Sequence, residues 1–136
     1  MSTAIFINLP VSDLPRARKF WTELGFSFNE TFSNEEAAAL VISEHINVML
    51  LVEKHFKEFT TKEIADTATT AEAIFALSAE SRARVDELAD LALASGASPS
   101  NEPQDHGFMY GRSFADPDGH LWELVWMDPN GFPEGE

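Results

Sequence analysis

The chain has 136 residues, 44% of them hydrophobic, and no cysteine. That is enough for one domain, or for two half-size modules sharing a core, and it excludes disulfides, thiol catalysis and thiolate metal sites. Nine basic residues against twenty-three acidic ones give a formal charge of −14, which argues against nucleic acid as a partner, because phosphate binding rests on Lys and Arg.

The imbalance sharpens toward the end. After Arg84 the one basic residue is Arg112, against eleven acids. Such a field favours cationic ligands and, more simply, keeps a surface solvated. No apolar run approaches a membrane span, and the start lacks the basic and apolar pattern of a secretory signal. A cytoplasmic protein with no membrane partner is the expectation.

Ala4 to Leu9 is a short apolar run ending at Pro10 and reads as a strand. Asp13 then predicts a helix N-cap, with Pro15 tolerated in the first turn. Leu14, Ala17, Phe20 or Trp21, and Leu24 recur at helical spacing, and Gly25 closes the helix. Phe26–Phe32 and Ala37–Ile42 read as strands joined by the polar turn Ser33-Asn34-Glu35-Glu36, and Asn47–Val52 as another. The first half is thus β-α-β-β-β, a module over about residues 4–52.

Residues 53–70 break the pattern: they are polar, threonine-rich and carry Lys54, Lys57 and Lys62. This stretch reads as a connector, with Phe56 and Phe59 packed on the core or forming a lid. Ala73–Leu77 reads as a strand, Ser78 or Ser81 as the cap of a second helix, and Gly96 as its end. An extended, turn-rich segment over Ser98–His106 follows, then strands Phe108–Ala115 and Leu121–Met127. The order β-α-β-β-β occurs twice, which is an architectural signal. The second module spans about residues 71–127, and a tail over 128–136 trails at the surface.

Asp116-Pro117-Asp118-Gly119 is strong turn chemistry: proline presets φ, and glycine accepts conformations that other residues avoid. Along the strand after it, Trp122, Leu124 and Trp126 share one face, and Leu121, Glu123, Val125 and Met127 the other. A carboxylate in that apolar row is costly unless something pairs with it. Glu123 is therefore either a rim residue reaching water or an arginine, or a functional group.

Two stretches resemble the vicinal oxygen chelate superfamily of glyoxalases, extradiol dioxygenases, and fosfomycin- and bleomycin-resistance proteins. Val11-Ser12-Asp13-Leu14 with Phe20-Trp21 and Leu24-Gly25-Phe26 is similar to its first strand and helix. Asp116-Pro117-Asp118-Gly119-His120 with Glu123 is similar to its last hairpin. The resemblance runs from Ile5 to about Met127. It implies an α+β fold of two βαβββ modules, whose curved mixed sheets form a shared cavity with Glu123 on the concave face. It also implies a homodimer.

In the metal enzymes of that superfamily, Glu123 matches the carboxylate ligand, whereas the two histidine positions fall on Phe6 and Ile74, which bind no metal. Asn8 and Glu72 share their strand parity and would have to serve a shifted site, although Asn suits transition metals poorly. No cofactor is expected, and a divalent metal is the alternative. His45, His55, His106 and His120 read as surface histidines.

Tyr110, Arg112 and His106 precede the last hairpin and would line a pocket with Glu123. Arg112 is a natural partner for a carboxylate: Glu123, a ligand's, or, as preferred, Asp116 or Asp118 in the turn. Three readings of function follow. One is a small-molecule binder without a complete metal site, similar to bleomycin-resistance proteins. The others are a metal-dependent glyoxalase-like lyase or dioxygenase, and a fold-only protein whose cavity is filled.

Overall fold

The computed structural model describes Thr3 to Gly131. It comprises two compact units that divide between Asp66 and Thr67. Each is an α+β module with a curved, open, mixed sheet.

In the first unit, β1 (Ile5–Val11), α1 (Leu14–Glu23), β2 (Ser27–Asn29), β3 (Ala37–Ser43) and β4 (Ile46–Val52) follow in order. The sheet order is β1-β4-β3-β2, with β1 parallel to β4 and the other pairs antiparallel. β1 runs two residues further than the sequence suggests, through Pro10. It is an edge strand, and an edge tolerates a residue with no N–H. The predicted strand Phe26–Phe32 is instead the short β2 followed by a 3₁₀ turn over Glu30–Phe32. Asn29 captures the amide of Thr31 and so diverts the backbone from the ladder.

Asp13 caps α1 by accepting the Arg16 N–H at 3.0 Å. Leu14, Ala17, Phe20, Trp21 and Leu24 are buried, as are Val48, Leu50 and Leu40 of the sheet. Trp21 meets Phe20 and Phe26 edge-on, the arrangement that the ring quadrupole favours. Gly25 ends the helix at φ +99°, where other residues are strained. After β4 come a one-turn helix α2 (Glu53–Phe56) and a 3₁₀ turn (Lys57–Phe59). Phe56 is half-buried but Phe59 is exposed, so it is not covered by the core.

The second unit has β5 (Ile74–Ser78), α3 (Arg82–Ala94), the two-residue strands β6 (Ser98–Pro99) and β7 (Gln104–Asp105), β8 (Met109–Ala115) and β9 (Leu121–Met127). Its order is β5-β9-β8-β6, with β7 also pairing β8 and β5 parallel to β9. Ser81 rather than Ser78 caps α3, accepting the Arg84 N–H at 3.0 Å. Val85, Leu88, Ala89 and Ala92 of α3 are buried, together with Phe114, Trp122 and Leu124 from the sheet face it covers.

The β8–β9 turn is held by one carboxylate. Asp116 accepts from the N–H groups of Asp118 and His120 at 2.9 and 3.0 Å, and from the Trp122 indole at 3.0 Å. Asp116 is 6% exposed. Burial pushes its pKa up, while the charge of His120 and these donors oppose the shift. Gly119 sits at φ +83°, and a Cβ there would lie 2.5 Å from the Thr67 hydroxyl oxygen. That hydroxyl donates to the Asp118 carbonyl at 2.6 Å. Glycine is needed at this position for both conformation and space.

His120 corrects the expectation of a surface histidine. It is 2% exposed, and its Nδ1 lies 2.6 Å from Glu72 Oε1. Among the described residues no helix is long and apolar enough to cross a membrane. The tail is described only as far as Gly131; the rest of that expectation lies outside the described residues.

Candidate functional site

Each sheet has one face under its helix and one open face, and alternation along the strands assigns the residues. On the second sheet, Trp122 and Leu124 are buried beneath α3, so Leu121, Glu123, Val125 and Met127 belong to the open face. Register places Glu123 opposite Ala76 on one side and Ser113 on the other. Val125 lies between Ser78 and Gly111. Small neighbours on both flanks leave Glu123 at the bottom of a shallow hollow.

A pocket of about 50 Å³ forms there, lined by Glu123, Val125, Met109 and Gly111 below and by Asn101, Glu102 and Gln104 above. The wall is held in two ways. The Asn101 N–H donates to the Ser113 hydroxyl at 2.8 Å, and Gln104 pairs with Gly111. From the far side of the sheet, Arg82 grips Asp105 with bonds of 2.9 and 2.7 Å and donates to the Gly107 carbonyl at 3.0 Å. Its guanidinium also stacks on Tyr110 and Trp126.

Glu123 is half-buried and has no hydrogen-bond or ion-pair partner among the described residues. Glu102 adds a second carboxylate to the same pocket. A half-buried carboxylate without an internal partner attracts a cation or a hydrogen-bond donor from outside.

Tyr110 and Arg112 are not brought to Glu123. The Tyr110 hydroxyl donates to Asp86 Oδ1 at 2.6 Å. Arg112 bonds Asp86 at 3.1 Å and Asp90 at 2.9 Å. Arg112 borders the pocket, but its guanidinium is committed to α3, and its acids are not the preferred Asp116 or Asp118. Both side chains point under the helix because they share parity with buried Phe114. The Tyr110 hydrogen bond, with help from Arg112, holds the Asp86 carboxyl below its usual range against some burial.

His106 is exposed in the β7–β8 loop, its N–H bonded to the Met109 carbonyl. Ile74 is on the open face, 57% exposed and opposite Leu121. Phe6 and Asn8 belong to the first unit, where both are exposed and Phe6 reaches 62%.

Comparison with known proteins decides the family. The sequence profile of the glyoxalase/bleomycin resistance protein/dioxygenase superfamily matches residues 4–124. The chain belongs to this superfamily. No protein of curated function matches it. Hypothetical protein SA1046 from S. aureus is 25% identical with a TM-score of 0.78, over 93% of this chain and 94% of that one. A superfamily enzyme from Burkholderia phytofirmans PsJN is 14% identical with a TM-score of 0.79, over 93% and 99%. The bleomycin resistance determinant encoded on transposon Tn5 is 16% identical with a TM-score of 0.64, over 93% and 99%. The last two likenesses concern the fold alone.

Members of the superfamily often use a divalent metal, and the donors around Glu123 do not fit one. Ile74 offers hydrocarbon, and the neighbouring register positions hold Ala76, Ser113, Val125 and Gly111. The other polar groups of the pocket are the amides of Asn101 and Gln104, the Glu102 carboxylate and Arg112, whose guanidinium is held by Asp86 and Asp90. Among the described residues of the second unit, His120 is buried on Glu72 and His106 is exposed in the β7–β8 loop, and neither lines the pocket. A transition-metal site of the imidazole–carboxylate type cannot be assembled from this set.

Sequence reasoning missed Asn101, Glu102, Gln104 and Met109 as wall residues. The segment Ser98–His106 carries little periodicity, and its strands are two residues each. The signal that was available is polar composition directly before a strand whose open face is glycine and serine.

Proposed function

We propose that this superfamily member binds a small cationic or hydrogen-bond-donating molecule on the open face of its second sheet, with Glu123 as the charged contact and no transition metal there. The observation that carries the reading is the unpartnered Glu123 set between Ala76 and Ser113. The second pocket carboxylate, Glu102, and the net charge of −14 favour the same class of ligand. The fold-only reading is weaker, because Phe6 and Ile74 are exposed rather than buried as filling. The working form in this reading is a homodimer, since Ile5, Phe6 and Ile46 leave apolar surface uncovered on a single chain.

A thermal-shift screen of small amines and amidines tests the proposal, because a ligand of the native state raises the melting temperature. Glu123→Gln keeps the shape and removes the charge. It should weaken a hit by about 1–3 kcal/mol, the scale of a charge-assisted hydrogen bond. Hits that bind the variant as well as the parent would overturn the reading. Light scattering giving the mass of one chain at dilute concentration would overturn the dimer.

A further inference from the structure

Three donor groups of the first unit, from two stretches of its chain, converge. Glu36 immediately precedes β3, His55 lies on α2, and Glu58 lies on the 3₁₀ turn that follows. The Glu36 carbonyl accepts the Val52 N–H at 2.9 Å, which pins the start of β3 beside the point where α2 departs. α2 in turn packs on β1 and β4. The His55 ring meets Phe59 edge-on with centroids 5.2 Å apart, and its side chain is only 26% exposed. One ligand atom from each of Glu36, His55 and Glu58 lies within 4.8 Å of the other two.

The spacing bears on what the group is for. His55 Nδ1 and Glu58 Oε2 are 3.3 Å apart, longer than the ~2.7–2.9 Å of a charge-assisted hydrogen bond. Two ligand atoms on one zinc ion, each at about 2.0–2.1 Å and at a tetrahedral angle, stand about 3.3–3.4 Å apart. The Glu36 carboxylate stands within 4.8 Å of both. Lys57, between His55 and Glu58 in sequence, pairs with Glu63 at 3.7 Å.

We propose that Glu36, His55 and Glu58 form a site for one divalent transition cation of the Zn²⁺ class. Two carboxylates offset the ion's charge, the imidazole adds a nitrogen donor, and water completes the coordination. The imidazole selects against Ca²⁺ and Mg²⁺, which require oxygen ligands in greater number. The site ties the entry of β3 to the segment leaving β4. It shares no residue with the Glu123 pocket and does not depend on the ligand proposed there.

The test is calorimetric titration of the full chain with ZnCl₂ in chelator-free buffer, with a parallel Co²⁺ titration followed by visible absorption. One saturable equivalent and Co²⁺ ligand-field bands are expected. His55→Gln, Glu36→Gln and Glu58→Gln should each weaken Zn²⁺ by about tenfold or more. Glu35→Gln removes the same charge next door and should leave the affinity unchanged, and excess Ca²⁺ should not displace Zn²⁺. The proposal fails if no saturable Zn²⁺ heat appears, if His55→Gln binds like the parent, or if Ca²⁺ competes equally. It also fails if Glu123→Gln abolishes binding while His55→Gln does not.

Discussion

Arg112 and Glu123 stand on paired strands with their side chains on opposite faces of the sheet. Glu123 is in register with Ser113, and Arg112 with Leu124. That single step of register sends the guanidinium to Asp86 and Asp90 on α3 and leaves the carboxylate on the open side.

The two residues should therefore be energetically independent. Arg112→Ala removes bonds to partly exposed acids and should lower stability by roughly 1 kcal/mol. Glu123→Gln should change it by less than about 0.5 kcal/mol. The double variant should be additive within about 0.5 kcal/mol in urea unfolding. A larger coupling would mean that the two groups meet after all.

Asp116 is the polar group whose loss should cost most. Its carboxylate satisfies the N–H groups of Asp118, His120 and Trp122 at once. Asp116→Ala leaves these donors without their acceptor in a buried turn, and a loss of about 2–4 kcal/mol is expected. Indole emission should shift in the native baseline as Trp122 loses its partner. A variant within about 0.5 kcal/mol of the parent would mean that water replaces the carboxylate.

Acid should loosen the second unit through Asp86. The Tyr110 hydroxyl, and then Arg112, hold its pKa below the usual 3.8. The unfolded chain therefore takes up this proton first, and the stability present above the usual value is lost as pH falls through the depressed one. Asp105, bonded to Arg82, is depressed in the same direction. Asp116 works the other way. Burial raises its pKa, so its protonated form favours the fold, and that contribution is lost as pH rises through the raised value. Between pH 5 and 3, the melting temperature of Asp86→Asn should fall less steeply than that of the parent. Parallel slopes would assign the acid limb to other carboxylates.

Much of this architecture is legible because it is written in local signals. Asp13 and Ser81 cap helices, Gly25 and Gly96 end them, and alternation from Leu121 to Met127 separates Glu123 from Trp122 without any structure. The superfamily follows from those motifs in order. What stayed hidden depends on partners distant in sequence. His120 looks like a turn histidine until Glu72 is seen against it. Arg112 has acids close by in the turn, yet finds its partners one helix earlier, because parity rather than proximity in sequence decides which carboxylates it meets. Glu36 offers no hint of its closeness to His55 until β3 and β4 are paired.

The Thr67 hydroxyl that crowds Gly119 has a topological meaning. With it, the first residue of the second unit is moored to the hairpin between that unit's last two strands. Glu72 is moored to His120 at the same end. Regular structure stops at Phe59 and resumes at Ile74, yet the later part of that interval is not spare rope. The run from Thr60 to Asp66, in which Glu63 pairs back to Lys57, carries the chain from the first unit to the second. Inserting residues between Thr67 and Ile74 therefore pulls on the turn that shapes β9.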